Sequence, residues 1–339
     1  MPDQTVAASV ARALLEFAVS RGSARHALVQ RSGIDPAKLS TPDERVPFAK
    51  YVALMRAGQE LCSDPALSLH FGESVHLSEL SFASMIEPDS RTMTDMIAMV
   101  NRYASLTVDL ECEGNGDRFR VEARDGRLLF VDARKSPNEF PELTESTFAR
   151  AVCSSRPAYG RFLRAVQVTH AAPPYCAEYD RIFQVPVTFG SDRNALVADR
   201  SLLEEVVTIP AALSRPITEV LKARAEEMLR RLDAAKSVRG RVEAVLIGRL
   251  PTRDVGIESV SRELGLSRQT LFRRLKAERV TFEQVLDELR RKLALELLDG
   301  KRASVNETAY QVGFSDPAAF SRAFKRWTGG SPRSHIRGT

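Results

Sequence analysis

The sequence predicts an α+β domain over residues 1–236, followed by an all-α domain over residues 237–339 that contains two helix-turn-helix motifs. Three observations predict this architecture. One motif occurs twice near the C-terminus, the period of the apolar residues changes within the first two-thirds, and the positive charge is concentrated in the last third. A chain of 339 residues is long enough for about two or three domains, each with its own core.

The first half of the predicted α+β domain changes from helices to strands. Over residues 5–104 the apolar side chains recur mostly at helical spacing. Residues 106–112, 118–123 and 128–131 then alternate apolar and polar side chains and are predicted strands. Glycine-containing turns between these strands predict hairpins at 114–117 and 125–126.

The second half of this domain returns to a mixed pattern. A helix is predicted over about 142–154, and strands are predicted over 165–169 and 185–189. This order of elements is typical of an α+β domain. A charged helix over 216–233 is predicted to make the connection to the C-terminal domain.

The repeated motif covers about 257–276 and 305–327, and each copy has the pattern of a helix, a tight glycine turn and a second helix. Gly265 and Gly313 occupy the turns, where a left-handed residue ends the first helix. One such pair of helices would be weak evidence for a DNA reader, but two copies at an offset of 48 residues, which becomes 49 after Pro317, make coincidence improbable. The side-chain oxygens predicted to cap the second helices are those of Ser267 and Ser315.

The second helix of each copy has a buried and an exposed side. Apolar residues at i, i+4 spacing are expected to anchor the helices, and another set is expected to face outward as one stripe on each helix. The anchors are Leu271, Leu275, Phe320 and Phe324. The stripes are Gln269, Phe272 and Arg273 in the first copy, and Ala318, Ser321 and Arg322 in the second, with Arg268, Thr270, Lys276 and Lys325 as flanking candidates for DNA contact.

The charge distribution agrees with a nucleic-acid partner. Residues 237–339 contain 20 Lys and Arg against 12 Asp and Glu, a net charge of +8, whereas residues 1–236 contain 29 against 32, a net charge of −3. A basic face alone is usually a solvated surface. Here it coincides with the repeated motif, as expected for a module that binds phosphates.

From about Arg239 to the end, the chain resembles the DNA-binding domain of the AraC/XylS family of bacterial transcription regulators, and the run from Gly313 to Pro332 is similar to that family's signature nearly throughout. The resemblance implies that a linker helix, over about 282–298 here, holds two helix-turn-helix units against adjacent major-groove segments. It also implies promoter DNA and RNA polymerase as partners. Capping boxes are predicted at Thr281 with Gln284 and at Ser304 with Glu307.

Residues 183–190 and 194–197 resemble the arabinose-binding-type N-terminal domain of one subgroup of that family. This resemblance implies a domain that senses a small-molecule effector and forms homodimers, without establishing a sugar as the ligand. Activation is the expected mode of regulation, although the sequence itself does not distinguish it from repression. The effector, its binding residues and the target promoter stay open.

Two features depart from the family pattern. The signature usually continues with an aromatic residue and an arginine, whereas this chain has His335 and Ile336, with Arg337 one place later. Phe272 stands where relatives often carry a polar residue. Its ring is expected either to contact thymine methyl groups or to lie half-buried against neighbouring helices, and the sequence leaves both readings open.

No catalytic or metal-binding constellation is predicted. The chain has no GxSxG, P-loop or HExxH motif and no CxxC pair, so neither a cofactor nor a metal site is expected. The cysteines are expected to be buried free thiols in a reducing cytoplasm, and no apolar run is long enough for a membrane span. The cysteines are Cys62, Cys112, Cys153 and Cys176.

These observations predict a cytoplasmic, sequence-specific transcription regulator controlled by a small-molecule effector and associated with the nucleoid when it binds DNA. Two other classes remain as alternatives. One is an enzyme with a basic localising tail, and the other is an architectural protein that coats DNA. An architectural protein should show little preference between sequences, whereas a reader should prefer its operator by about 10³ or more.

Overall fold

A computed structural model describes residues 4–41, 44–86, 92–114, 116–124, 126–200, 215–299 and 303–338. The chain divides into two compact units, Met1–Leu229 and Arg230–Thr339. The division falls inside one long helix. Our boundary at 236/237 assigns that whole helix to the first domain and stays a prediction.

The first unit begins with short helices around a small sheet. Its strands have the order β2-β1-β3 and are antiparallel, and Val6 of β1 pairs with Val46 and with Val108. The elements are β1 (Thr5–Ala7), α1 (Ala8–Ser20), α2 (Arg25–Ser32), α3 (Pro36–Leu39), β2 (Arg45–Pro47), α4 (Phe48–Leu61), α5 (Leu67–Ser74), α6 (Leu77–Leu80), α7 (Met93–Thr107) and β3 (Val108–Asp109).

A five-stranded sheet follows, in the order β4-β5-β8-β6-β7, with all pairs antiparallel except β6 with β7. The α8 helix packs on this sheet through Phe148 and Val152. The elements are β4 (Phe119–Arg124), β5 (Arg127–Asp132), α8 (Pro141–Tyr159), β6 (Leu163–Gln167), α9 (Cys176–Phe183), β7 (Val187–Thr188), β8 (Ala195–Asp199) and α10 (Arg215–Lys236).

The α+β class, the mostly helical region 5–104 and the β4–β5 hairpin are confirmed. The predicted strand over 106–112 is wrong, because α7 continues to Thr107 and only Val108–Asp109 is a strand, paired with β1 instead of β4. The physical reason is that Tyr103 and Leu106 pack into a core with Ala225, which keeps this part of the chain helical. The predicted hairpin at 114–117 includes Asn115, which lies outside the described residues, and Cys112 before it forms an isolated antiparallel bridge with Arg134.

Three strands were missed by the sequence pattern. The β1 and β2 strands have three residues each, too few for an alternation to be visible. The β8 strand is the middle strand of the larger sheet, and Ala195–Ala198 are all buried, so no polar face marks them. A strand covered on both sides loses the period of two on which the prediction relied.

The second unit is helical, as predicted. Its first core lies between α11, α12, α13 and the first half of α14, and its second core lies between the rest of α14 and the last helices. The elements are α11 (Val238–Arg249), α12 (Ile257–Glu263), α13 (Arg268–Ala277), α14 (Phe282–Asp299), α15 (Val305–Gln311), α16 (Pro317–Thr328) and α17 (Pro332–Gly338).

All four cysteines are free thiols, but their expected burial holds only in part. Cys176 is exposed, which contradicts the expectation for that residue, and Cys62, Cys112 and Cys153 are partly buried. Burial raises the pKa of the Cys112 and Cys153 thiols. No group of three His, Cys, Asp or Glu side chains within the described ranges is arranged to hold a metal ion. Among the helices that the structure describes, none has the length and apolarity to cross a membrane.

Close packing between α5 and α8 predicts the first mutational result. A Cβ at Gly72 would collide with the backbone oxygen of Ser146 and would lie 2.8 Å from Ala149 Cβ. Gly72→Ala should therefore destabilise the first unit by about 1–3 kcal/mol through overpacking. Thermal unfolding of the full chain measures the effect.

Gly248→Ala is the matched control for that measurement. Gly248 lies within α11, and no atom is within 4 Å of the position of its added Cβ. Its substitution should stabilise the helix by about 0.5–1 kcal/mol, because alanine has the higher helix propensity. Equal unfolding temperatures for Gly72→Ala and the parent chain would contradict the tight α5–α8 contact.

Candidate nucleic-acid interface

Both motifs turn at a glycine in the left-handed region, as predicted. Gly265 has φ of 66° and Gly313 has φ of 81°. The second turn is also sterically restricted, since a Cβ at Gly313 would lie 2.9 Å from the backbone oxygen of Leu250. Glycine is thus required by conformation in both copies and by space in the second.

The caps of the two second helices differ. Ser267 Oγ accepts a hydrogen bond of 3.1 Å from the Thr270 N–H and caps α13, as predicted. The predicted cap at Ser315 is wrong, because the carboxylate of Asp316 accepts from the N–H groups of Ala318 and Ala319 at 3.0 and 3.1 Å. Asp316 directly precedes Pro317, whose fixed φ and missing N–H suit the first helical position, so α16 begins one residue later than a serine cap requires.

The first predicted stripe is exposed on α13. Leu271 and Leu275 are buried in the first core of the unit, while Gln269 and Arg273 face outward. The side chain of Phe272 is 58% exposed. More than half of the residue is therefore accessible at the surface, and contact of its ring with thymine methyl groups stays a prediction.

The flanking candidates on α13 differ in exposure and in the contacts that their side chains already make within the protein. Arg268 and Lys276 are exposed, and an Arg268 nitrogen lies 2.9 Å from a Glu258 carboxylate oxygen. Such an exposed ion pair contributes about 0–1 kcal/mol, so it is a weak competitor for a phosphate. Thr270 is only partly buried, and its hydroxyl lies 2.8 Å from Ser267 Oγ at the cap.

The second predicted stripe lies on α16, which Phe320 and Phe324 anchor in the second core. The outward residues Ala318, Arg322 and Lys325 are exposed. Ser321 is partly buried, and its hydroxyl donates to the Pro317 carbonyl at 2.9 Å. Its oxygen can still accept a hydrogen bond, but its proton is used within the helix.

Arg290 on α14 holds the second turn, and the sequence reasoning missed it. Its Nε donates to the Val312 carbonyl at 3.1 Å, and its Nη2 donates to the Gly313 carbonyl at 3.2 Å. Its guanidinium carbon lies 4.6 Å from the ring centroid of Phe314, a cation–π contact. Burial lowers the pKa of Arg290, against a smaller raising effect of Asp287. In the sequence it is one charged residue among several on an amphipathic stretch, and no signal distinguishes it.

Both predicted capping boxes are confirmed. The Thr281 N–H donates to Gln284 Oε1 at 2.8 Å and the Gln284 N–H to Thr281 Oγ1 at 3.2 Å, at the start of α14. The equivalent bonds between Ser304 and Glu307 measure 2.8 and 3.3 Å. These hydrogen bonds to Ser304 lower the pKa of the Glu307 carboxyl.

The atypical C-terminal tail packs as a helix. Ile336 contacts the second core of the unit, and the ring of His335 lies 5.6 Å from the ring of Phe324. His335 Nε2 is 2.7 Å from Asp299 Oδ1, at the end of α14. These contacts tie α17 to α14 and α16, so the departure from the family pattern preserves the packing of the tail.

Together these features define a double helix-turn-helix DNA-binding domain that follows an α+β domain. The family model for the arabinose-binding domain of AraC transcription regulators matches residues 22–207, and a helix-turn-helix domain model matches residues 260–337. The chain belongs to the AraC family of transcription regulators. It is a DNA-binding regulator with an effector-binding N-terminal domain, and proteins of this family are transcription regulators rather than enzymes.

Several known proteins are similar to this chain. The ornithine utilization regulator of Pseudomonas aeruginosa is 28% identical over 337 residues, which cover 98% of this chain and 96% of that protein. The transcriptional activator RhaS of Escherichia coli is 40% identical over 86 residues, which cover 25% of this chain and 31% of RhaS. The crystal structure of the regulator CdpR from Pseudomonas aeruginosa covers 80% of this chain and 87% of its own, with 21% identity and a TM-score of 0.37.

The cap at Asp316 predicts the second mutational result. Asp316→Ala removes the acceptor for two backbone N–H groups and should destabilise the second helix-turn-helix motif by about 0.5–2 kcal/mol. Hydrogen exchange of the α16 amides in the full chain measures this loss. Ser315→Ala is the matched control and should leave the exchange unchanged. A larger effect of Ser315→Ala than of Asp316→Ala would mean that Ser315, and not Asp316, caps α16.

Proposed function

We propose that α13 and α16 read base edges in two successive major grooves on one face of promoter DNA. The observation that carries this proposal is the pair of exposed stripes, each presented by a helix whose opposite face is anchored in a separate core. Because α14 contributes to both cores, the two readers are joined by one helix. The major groove admits an α-helix, and adjacent readers on one face lie about one helical turn, ~34 Å, apart.

Within the stripes we assign base reading to the arginines. Arg273 and Arg322 are exposed at equivalent places, and a guanidinium donates two parallel hydrogen bonds to guanine. The exposed ring of Phe272 is suited to thymine methyl groups, which present an apolar surface in the same groove. The phosphate contacts that set the register are assigned to the flanking residues Arg268, Thr270, Lys276 and Lys325.

The proposed regulation involves three further partners, namely a small-molecule effector, a second copy of this chain and RNA polymerase. The first unit binds a small molecule and forms a homodimer, and the small molecule changes how the two protomers present their DNA-binding units. The DNA-bound protein activates transcription through RNA polymerase. This takes place in the cytoplasm, at the nucleoid. Exposed Ile217 and Val220 on α10, 48% and 68% accessible, supply an apolar surface for a dimer contact. A coupling of about 1–3 kcal/mol between effector and operator is typical of such control.

Substitution of the two arginines tests base reading. Arg273→Ala and Arg322→Ala should each weaken binding by about 1–3 kcal/mol, and each should lose preference at a different half of the operator. Competition binding to a panel of single-base operator variants provides the measurement. Reduced affinity with unchanged preference at every base would remove the base-reading role.

Neighbouring arginines on the same helices supply matched controls. Arg274 is exposed on α13 next to the stripe, and Arg326 on α16 forms a 2.6 Å ion pair with Asp287. Arg274→Ala and Arg326→Ala should leave the base preference intact and change affinity uniformly, because any phosphate contact they make carries no sequence information.

The shared helix leads to a prediction about operator geometry. A site for one protomer should contain two short recognition boxes about one helical turn apart, without a palindrome. Inserting about half a turn of DNA between the boxes should abolish high-affinity binding by the full chain, because the two boxes then lie on different faces of the DNA. Inserting a full turn returns both boxes to one face of the DNA but leaves them farther apart than the two motifs are. Unchanged affinity after the half-turn insertion would mean that only one motif reads DNA.

A further inference from the structure

The connecting helix α10 meets α11 at a joint formed by Ser237. The Ser237 N–H donates to the carbonyls of Asp233 and Ala234, each at 3.2 Å, at the end of α10. The Ser237 hydroxyl donates to the Ala234 carbonyl at 2.6 Å and accepts from the Gly240 N–H at 2.9 Å, which caps α11. A single residue therefore ends α10 and begins α11, and it is bonded to both helices.

Close backbone packing restricts bending at this joint. A Cβ at Gly240 would lie 2.0 Å from the Ala234 carbonyl oxygen and 3.0 Å from the Ala235 Cα. Only glycine, which has no Cβ, permits two backbones to approach in this way. The direction in which α10 joins α11 is thus fixed by backbone contact as well as by the hydrogen bonds of Ser237.

A carboxylate from the first helix-turn-helix motif closes the joint. Glu278 directly follows α13, and its own N–H donates to the Arg274 carbonyl at 3.2 Å. Its two carboxylate oxygens accept from the N–H groups of Val238 and Arg239, at 2.7 and 3.0 Å. These are the first N–H groups of α11, which have no acceptor within their own helix. We call this contact of Glu278 with Val238 and Arg239 the α11 lock.

The electrostatics of the α11 lock favour α11 and not α13. The C-terminal end of a helix carries a partial negative charge, and the N-terminal end carries a partial positive charge. A carboxylate is therefore unfavourable at the end of α13 and favourable at the start of α11. The guanidinium group of Arg239 is paired elsewhere, since its nitrogens lie 2.9 and 2.6 Å from oxygens of Glu243 and Glu288. The backbone of α11 is thus what Glu278 stabilises.

The preceding part of α10 is attached to α7 within the first unit. Ala225 is fully buried in a core that includes Tyr103. The Glu226 carboxylate accepts from Nε and Nη2 of Arg102 at 2.6 and 2.8 Å, and from the Tyr103 hydroxyl at 2.9 Å. Because α10 continues from these contacts to the joint, a displacement of α7 reaches the joint through one helix.

We propose that Glu278 is the positioning residue that holds α10 to the first helix-turn-helix motif, so that the first unit determines how α13 is presented to DNA. With the α11 lock closed, a turn of α10 is transmitted to the end of α13. With the lock open, the first turn of α11 is free to absorb that turn. This inference rests on the proposed control of DNA binding by the first unit, and it names the contact through which that control passes.

Amide hydrogen exchange of the full chain without DNA tests the α11 lock. Glu278→Gln keeps the size of the side chain but leaves one oxygen acceptor for two N–H groups. Exchange at Val238 and Arg239 should therefore become about tenfold faster or more. Glu296→Gln, which removes an exposed carboxylate from α14, is the matched control and should leave both amides unchanged. Unchanged exchange in Glu278→Gln overturns the lock.

A double-mutant cycle in operator binding by the full chain tests transmission. Glu226→Gln weakens the attachment of α10 to α7 and should change the operator affinity about fivefold or more in the parent chain. In the Glu278→Gln background, the same substitution should change it by less than about twofold. A merely structural cap gives equal changes in both backgrounds, because independent sites are additive. That result, or an unchanged affinity of Glu226→Gln in the parent chain, overturns the proposal.

Variants on the same helices complete the cycle. Glu219→Gln should leave the operator affinity unchanged, because the ion pair of Glu219 with Lys222 stays within α10. Gly240→Ala forces the joint apart and should suppress the effect of Glu226→Gln, whereas Gly248→Ala, whose added Cβ has no atom within 4 Å, should preserve it. The same response in both glycine variants contradicts the proposal. Base reading is tested separately by the Arg273→Ala variant, so its failure is distinguishable from a failure of the lock.

Discussion

The structure of the DNA-binding unit depends on α14, which belongs to two cores at once. Val285 and Leu289 pack with the first helix-turn-helix motif, and Ala294 and Leu298 pack with the second. A helix is rigid over this length, so the two motifs cannot turn independently unless one core opens. Arg290 adds a local constraint, because it joins the middle of α14 to the turn before α16 through two carbonyl groups. The spacing of the two motifs is thus set by packing, before any DNA is bound.

The repeated motif could be predicted from the sequence because its turns, its helix caps and its buried faces each require particular residue types at short, regular spacings. Glycine at a left-handed position, a polar cap and an apolar pair at i, i+4 each leave a residue-level signal, and both copies carry them. Contacts between the copies leave no such signal. Arg290 acts through tertiary hydrogen bonds, and the requirement for glycine at 313 comes partly from the Leu250 carbonyl, which is distant in sequence. The misassigned cap at Ser315 shows a limit even of local rules, because Asp316 with Pro317 sets a competing start.

The N-terminal unit was less predictable for a related reason. Its sheet has a buried middle strand, β8, and its small sheet joins β1 to residues far along the chain, so the pairing is determined by contacts that no local pattern encodes. The charged residues of its interior are misleading in another way. In the sequence, Arg118 and Arg134 look like surface residues, since arginine is almost never fully buried unless it is paired. Only the structure shows that both are buried and that Arg118 Nε lies 3.6 Å from Asp132 Oδ1.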